Sequence, residues 1–256
     1  MKKYIIVRDN AQYIAGTTLK VASQPEAFNM ALHVCKSEEA VLINRARFAK
    51  DLNIDLNRCV FSKQTHSDHI KEVTKDDLGK GVFDYASAIE DTDALYTKEK
   101  GVCLGVFHAD CVPVLIADPI KEIVCAIHAG WQGTVKEITA KSIAYLKEHE
   151  GVNPENLKVY IGASITQSNF EVGMDVIEKV RAMSFDTSST YYFNETTQKG
   201  FVDNQELNRL QCLNEGVPMK NITVDKNCTY SNAENFFSFR RDKDCGRHMS
   251  FIMLKG

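Results

Sequence analysis

"FHADCVPVLIADPIKEIVCAIHAGWQGT", residues 107–134, contains two apolar, β-branched runs that predict neighbouring strands. The runs span 112–118 and 122–128. Between them lie Pro119 and Lys121, a break that predicts a hairpin or two closely joined strands. Directly after the second run the hydrophobic spacing becomes helical. The stretch therefore predicts a buried strand pair that leads into a helix.

Helical patterns recur along the chain, and further short strands are interspersed among them. The predicted helices span 37–52, 130–149, 172–183 and 203–215. Ser37 is expected to cap the first, and Gly133 or Thr134 is expected to begin the second. Residues 184–200 are polar and aperiodic and predict a surface excursion. Because strands and helices are mixed rather than alternating, the sequence predicts one α+β domain over residues 1–256.

Composition narrows the class of partner. The chain has 256 residues, a net charge of -3 and a pI near 6.2, which disfavours nucleic acid and polybasic membrane contacts. No apolar window has the length of a membrane span, and the short N-terminal apolar run does not resemble a secretory signal. Eight cysteines without a CxxC pair suggest reduced thiols. We expect a cytoplasmic protein that binds a small molecule.

Three residues with chemical potential lie where apolar strands meet loops: His66, Cys111 and His128. Two imidazoles and a thiolate form a typical catalytic zinc set, with a fourth position left for water or substrate. Their spacing matches no local zinc-finger pattern. The alternative is that Cys111 is a small buried hydrophobe and that the histidines are hydrogen-bonded loop residues. Both interpretations stay open at this point.

Several motifs together resemble a known family. In order they are "QTHSDHI", "TDALYT", "HADCVPVLIAD", "AIHAGWQGT", "IGASITQSNFEVG" and "NFFSFRRDKDCGR". They resemble the YfiH-like laccase-domain family, formerly called multicopper polyphenol oxidoreductase, over about residues 42–254. The resemblance implies two mixed β-sheets packed as a sandwich with flanking helices, in α-β-β-α layers. It also implies a metal site of His66, Cys111 and His128, usually occupied by zinc.

The resemblance further implies activity on purine nucleosides. Expected reactions are phosphorolysis of adenosine, inosine, guanosine and methylthioadenosine, and deamination of adenosine. A link to peptidoglycan precursor synthesis through an editing role is also implied. Two positions depart from the family pattern: Gln132 stands where a basic residue is usual, and Ser67 stands where a glycine is common. The loop 163–169 is also less rich in glycine, proline and cysteine than expected.

Zinc is favoured over copper. A multicopper oxidase needs a trinuclear cluster built from many histidines, whereas this chain has seven, without an HxH pair. For zinc-assisted deamination, Asp110 is the candidate general acid/base, with a structural role in its turn as the alternative. For phosphorolysis, Arg45 with help from Arg241 is the candidate phosphate-binding pair, and a solvated charged surface is the alternative.

Two other functions remain open from the sequence. Cys111 and His128 can form a metal-free nucleophilic dyad, because a thiolate beside an imidazolium is activated. The chain can also be a binding or editing partner in cell-wall synthesis whose metal is structural. Chelation separates the zinc enzyme from the dyad, and turnover of adenosine separates both from the binding protein.

Overall fold

Two facing β-sheets dominate the computed structural model, which describes residues 2–256. The strands are β1 Tyr4–Asp9, β2 Tyr13–Thr18, β3 Cys59–Val60, β4 Ile70–Glu72, β5 Ala94–Thr97, β6 Cys103–His108, β7 Val112–Asp118, β8 Ile123–Ala129, β9 Lys158–Ile161, β10 Glu171–Val172, β11 Tyr191–Asn194, β12 Lys199–Val202, β13 Ile222–Val224 and β14 His248–Leu254. The α-helices are α1 Glu38–Leu52, α2 Trp131–Val135, α3 Ile138–Glu150, α4 Met174–Arg181 and α5 Asn204–Asn214. Short 3₁₀ turns connect several of them.

The sheets are mixed. The first has the order β1-β2-β14-β6-β3, and the second has the order β13-β9-β7-β8-β5-β4. The predicted strand pair of the opening stretch forms β7 and β8, which are antiparallel neighbours at the centre of the second sheet. Both strands are buried along their whole length, which explains their nearly continuous apolar sequence.

Side-chain alternation along β7 divides the core into layers. Leu115 and Ala117 face the first sheet, whereas Val114 and Ile116 face the helices α3 and α5. On the outer face of the first sheet, Phe48 of α1 packs against the strands. The layers are therefore helix, sheet, sheet and helix, and the predicted α+β sandwich with flanking helices is confirmed.

The predicted helix over 130–149 is two helices, and it starts earlier than expected. α2 begins after Gly130, and Glu137 breaks the path with a φ of 63° before α3. Gln211 of α5 bonds across this break. Its amide nitrogen donates to the carbonyl of Thr134 over 3.0 Å, and its oxygen accepts from the backbone N–H of Thr139 over 3.1 Å. The side chain of Gln211 thus replaces hydrogen bonds that a continuous helix would make. The hydrophobic periodicity of residues 130–149 carries no sign of this distant partner.

Residues 184–200 also differ from prediction. They include β11 and the start of β12, which pair in a small sheet with β10 and pack against α4. These strands have four residues each, too few for a clear alternation pattern. Ser37 caps α1 as predicted, its hydroxyl accepting from the N–H of Ala40 over 3.2 Å. Within residues 2–256, no helix has the length and apolar character needed to cross a bilayer.

Candidate metal centre

The three predicted ligands lie at one end of the second sheet. Cys111 directly precedes β7, and His128 lies near the end of β8, where it pairs with Pro113. His66 reaches the same end from the loop between β3 and β4. One ligand atom of each lies within 4.8 Å of the others. The fold thus brings together side chains that are 62 positions apart in sequence at the widest.

The distances fit a tetrahedral metal ion. Cys111 Sγ lies 3.8 Å from His66 Nε2. A zinc ion with ordinary Zn–S and Zn–N bonds places such a pair about 3.6 Å apart. The donor set of one thiolate and two imidazoles also suits zinc, and it leaves a fourth tetrahedral position for another ligand. The side chains present therefore fit the implied metal.

Asp93 organises the centre, and sequence reasoning missed it. Its buried carboxylate accepts from the backbone N–H groups of Thr65, His66 and Ser67 over 3.0, 3.2 and 2.8 Å. The Ser67 hydroxyl donates to it over 2.8 Å, so the residue that departs from the family glycine adds a bond here. The carboxylate also pairs with His128 Nδ1 over 2.7 Å. This contact directs Nε2 of His128 towards the other ligands.

Charge compensation stabilises a thiolate at Cys111. Burial alone would raise the pKa of Cys111, but the charge and hydrogen bond of His128 lower this pKa to about 6. For His128, burial opposes protonation, and the Cys111 charge and the Asp93 hydrogen bond together raise its pKa. Burial would also raise the pKa of Asp93, but the hydrogen bond from His128 lowers it to about 2. Thiolates are the form of cysteine that binds metals and attacks electrophiles.

Gly130 leaves room for two ligands. A Cβ at this position would lie 2.3 Å from Cδ2 of His66, 2.9 Å from its Nε2, and 3.1 Å from Cys111 Sγ. The first two distances are shorter than any real contact of this kind. The glycine of the "HAGW" motif therefore allows the His66 ring to lie directly against the backbone.

A cavity of about 270 Å³ opens beside the centre. His66 and Cys111 form part of its wall, and Arg240 supplies a cation. Its aromatic lining consists of Trp131, Phe170 and Phe239. Flat apolar walls with a few polar groups at one end are typical of small-molecule sites.

Asp110 lies in the cavity wall with a φ of 90°. Its carboxylate accepts from the hydroxyls of Thr229 and Ser238 over 2.6 and 3.0 Å and from the backbone N–H of Arg240 over 2.7 Å. These bonds attach the C-terminal segment to the turn that presents Cys111. Of the two roles left open by the sequence, the contacts support the structural one.

The structure places the two candidate phosphate-binding arginines, Arg45 and Arg241, outside the cavity lining. Arg45 is only 1% exposed and lies in the core. Its guanidinium donates to the carbonyls of Met30, Gly81 and Val82 and lies 4.8 Å from the ring centre of Phe61. The sequence around Arg45 does not reveal its burial, because these carbonyl partners come from distant loops. Arg45 therefore has no access to a bound phosphate.

Arg241 is likewise engaged with backbone. It donates to the carbonyls of Thr229, Tyr230 and Phe236 over 2.6–2.8 Å and does not line the cavity. Its neighbour Arg240 does, and it lies 5.5 Å from the ring centre of Phe170. Gln132 is exposed on α2 and lies outside this lining.

Comparison with known proteins identifies relatives along nearly the whole chain. The model of the family described as multi-copper polyphenol oxidoreductase laccase matches residues 16–255. Purine nucleoside phosphorylase YlmD of Bacillus subtilis is 39% identical over 254 residues, with coverage of 97% of this chain and 91% of the relative. Adenosine deaminase RL5, from an unknown prokaryotic organism, is 33% identical over 213 residues, with coverage of 83% and 81%.

Solved structures agree with this relationship. The crystal structure of Bacillus licheniformis hypothetical protein YfiH superposes with a TM-score of 0.92 at 33% identity, over 100% of both chains. YlmD of Geobacillus stearothermophilus gives a TM-score of 0.91 at 34% identity, with coverage of 99% of this chain and 100% of that one. The chain therefore belongs to the multi-copper polyphenol oxidoreductase laccase family.

Proposed function

We propose that the protein is a zinc-dependent enzyme that acts on purine nucleosides. The proposed reactions are phosphorolysis of adenosine, inosine, guanosine and methylthioadenosine, and deamination of adenosine. One observation carries the proposal: a two-histidine, one-cysteine centre forms part of the wall of a cavity with aromatic walls. The names of two relatives, a purine nucleoside phosphorylase and an adenosine deaminase, support the substrate class.

The contacts of the centre and of the cavity indicate a role for each group of residues. His66, Cys111 and His128 would hold the zinc ion, which would supply Lewis-acid chemistry beside the cavity. Asp93 orients the His128 ring and fixes the backbone of the loop that carries His66, so both ligand-bearing segments are held before substrate arrives. The aromatic side chains suit a stacked purine base and exclude water from it.

Arg240 is the proposed anion contact. Phosphorolysis requires a bound phosphate, and arginine binds phosphate through its planar guanidinium. Arg240 is exposed and lies in the cavity lining, whereas Arg45 is buried and Arg241 lies outside this lining. The Arg240 guanidinium also donates to the carbonyls of Asn169 and Glu171 over 3.4 and 3.0 Å, which holds it at the cavity wall. Phosphate attacks the anomeric carbon of the ribose and displaces the base, whereas deamination adds water at C6 of adenine and releases ammonia. Deamination needs no phosphate, so it should depend less on Arg240.

Copper oxidase chemistry finds less support. Residues 2–256 contain one cluster of three or more His, Cys, Asp or Glu side chains suited to a metal, and this cluster has three members. Two further histidines, His108 and His248, are buried and hydrogen-bonded elsewhere. A trinuclear copper cluster requires many more histidine ligands at one place.

The test is turnover of adenosine by zinc-loaded protein, with and without phosphate. Phosphorolysis gives adenine and ribose 1-phosphate only with phosphate, whereas deamination gives inosine in both cases. Arg240→Ala should reduce phosphorolysis more than deamination. Absence of turnover of every purine nucleoside by zinc-loaded protein would contradict the proposal and would favour a binding or cell-wall editing role.

A metal-free Cys111–His128 dyad is the second candidate, and the lowered pKa of Cys111 favours it. Chelation distinguishes the two mechanisms. A zinc enzyme loses activity with a chelator and regains it with added zinc. A dyad keeps its activity under chelation and loses it on alkylation of Cys111.

A further inference from the structure

A second cleft opens between the two sheets, at the edge formed by β1 and β13. It encloses about 170 Å³. Apolar side chains from both sheets form its floor, among them Ala15 and Ile252 of the first sheet and Leu115 of the second. The cleft therefore enters the interior of the sandwich rather than running over its surface.

A β-bulge places a cation at this cleft. Ile6 pairs with Gly16 and Arg8 pairs with Ala15, so Val7 is an extra residue in β1. Directly paired residues of an antiparallel ladder lie on the same face of the sheet. Ala15 belongs to the core between the sheets, so Arg8 lies on this face of β1 and lines the mouth of the cleft, where its side chain stays exposed. There it lines the cleft together with Tyr13. Burial raises the pKa of Tyr13, and the charge of Arg8 partly opposes this effect.

Two lysines complete a cationic rim. Lys158 comes from β9, and Lys220 comes from the turn before β13. Lys158 Nζ donates to Asn221 Oδ1 over 2.7 Å. Within residues 2–256, neither lysine nor Arg8 has a carboxylate at salt-bridge distance. Asp225 lies outside the lining of the cleft, and its carboxylate accepts from the hydroxyl of Tyr160, a lining residue, over 3.0 Å.

We propose that this cleft binds a small organic anion. An apolar or aromatic body fits against the floor between the sheets, and a carboxylate or phosphate group faces the three cations. The site is separate from the metal centre. Lys158 pairs with Ala117, six residues along β7 from Cys111, which corresponds to about 20 Å. The inference is independent of the nucleoside reactions.

A protective role for Arg8 is the competing explanation. β1 is an edge strand, and bulges or inward-pointing charges on edge strands prevent pairing with another copy. This role explains Arg8 without a ligand. It gives no reason for two lysines from other elements to converge on the same cleft, and it predicts self-association when Arg8 is removed.

The test measures calorimetric binding of phenyl phosphate and of benzoate to zinc-loaded protein. Arg8→Ala and Lys220→Ala should each weaken binding about 3-fold and together about 10-fold, with salt weakening it further. Lys243→Ala removes an exposed charge outside the cleft and should leave the Kd unchanged. Phenol, which lacks the full negative charge, should bind more weakly. The stronger of the two anions identifies the preferred head group.

Arg8, Lys220 and Lys243 are all exposed, so the variants should fold, and thermal denaturation checks this. An unchanged Kd in the Arg8→Ala/Lys220→Ala variant would overturn the proposal, because the anions would then bind at the metal centre or elsewhere. Dimers of Arg8→Ala in sedimentation, with unchanged anion binding, would overturn it in favour of edge protection.

Discussion

Two pairs of neighbouring histidines occur within residues 2–256, and one of these pairs forms a candidate reactive centre. The rings of His66 and His128 are 4.9 Å apart, and those of His108 and His248 are 5.5 Å apart. In the second pair, His108 bonds to the Ser250 hydroxyl over 2.8 Å, and His248 bonds to two backbone groups. The partners of these rings are neutral, and Nδ1 of His108 is buried without a hydrogen-bond partner among residues 2–256.

The surroundings therefore decide the chemistry. His128 faces the carboxylate of Asp93 and the sulfur of Cys111, and its pKa is raised. For His248, burial dominates and lowers the pKa to about 3. Two close imidazoles alone predict little; a negative partner and an adjoining cavity distinguish a ligand from a structural histidine.

The largest effect is expected when the thiolate, which distinguishes the first histidine pair from the second, is removed. Cys111→Ala should eliminate tight zinc binding and lower nucleoside turnover at least about 100-fold, because two imidazoles remain as ligands. Zinc content and turnover are the measurements. Cys35→Ala, a cysteine away from the centre, is the matched control and should keep both. Full activity in Cys111→Ala would refute the zinc mechanism.

Asp93→Asn makes the surroundings of His128 resemble those of His248. Loss of the carboxylate should weaken zinc affinity about 10- to 100-fold, because the ring orientation and the loop 65–67 lose their shared acceptor. Competition with a chromophoric chelator measures the affinity. Ser250→Ala removes the partner of His108 and should leave zinc affinity unchanged. Equal effects in both variants would contradict the distinction.

Gly130→Ala tests the geometry of the first pair without changing any charge. The added methyl group collides with the His66 ring, so zinc affinity should fall about 10-fold. Isothermal titration with zinc reads the change, and circular dichroism checks the fold. Gly256→Ala at the C-terminus, where the methyl group meets nothing, is the control. Unaltered affinity would show that the His66 ring moves freely.

His248 should contribute acid sensitivity. The folded pKa of about 3 lies below the unfolded value of 6.5, so the unfolded chain binds the extra proton between these values. The free energy of unfolding should therefore fall as the pH drops below 6.5, by at most about 1.4 kcal/mol per pH unit from this residue. Urea unfolding at several pH values measures it. His248→Gln should flatten the slope, and an unchanged slope would argue against a neutral buried ring.

The smallest expected effect concerns the protonation state of Cys111. In zinc-free protein, alkylation by iodoacetamide should rise with pH and reach half its maximum near pH 6, because the thiolate is the reacting form. An ordinary thiol reaches this point near pH 8.5. Cys212, whose pKa burial raises to about 12, should stay unmodified and serves as the internal reference. A midpoint near 8.5 for Cys111 would mean that His128 does not stabilise its thiolate.

Local sequence predicted the parts of the fold that depend on local physics. The strand pair β7–β8 and the Ser37 cap follow from apolar runs and from a single hydroxyl, and both were expected. The three clustered side chains were also foreseen, from strand-end positions and from family resemblance. They depend on sheet geometry, which aligns the ends of adjacent strands.

Long-range partners account for what sequence missed. Arg45 is satisfied by carbonyls from loops at residues 30 and 81–82, so its mid-helix position is uninformative. Asp93 accepts hydrogen bonds from residues 65–67 and from His128, and its place in the "TDALYT" motif was the one sequence signal for it. The position of Arg8 at the cleft depends on a one-residue bulge in the ladder with β2. None of these has a periodic signature.

The shared carboxylate of Asp93 has a consequence for assembly. One side chain closes the loop before β4 and also orients a ring on β8, so neither ligand is ready until both segments dock on β5. Uptake of the proposed zinc ion during refolding should therefore report when this docking step occurs. The rate of metal uptake should match the rate at which the amide protons of the loop regain protection from exchange, rather than the rate of helix formation. Metal binding would then mark the time at which the second sheet is complete.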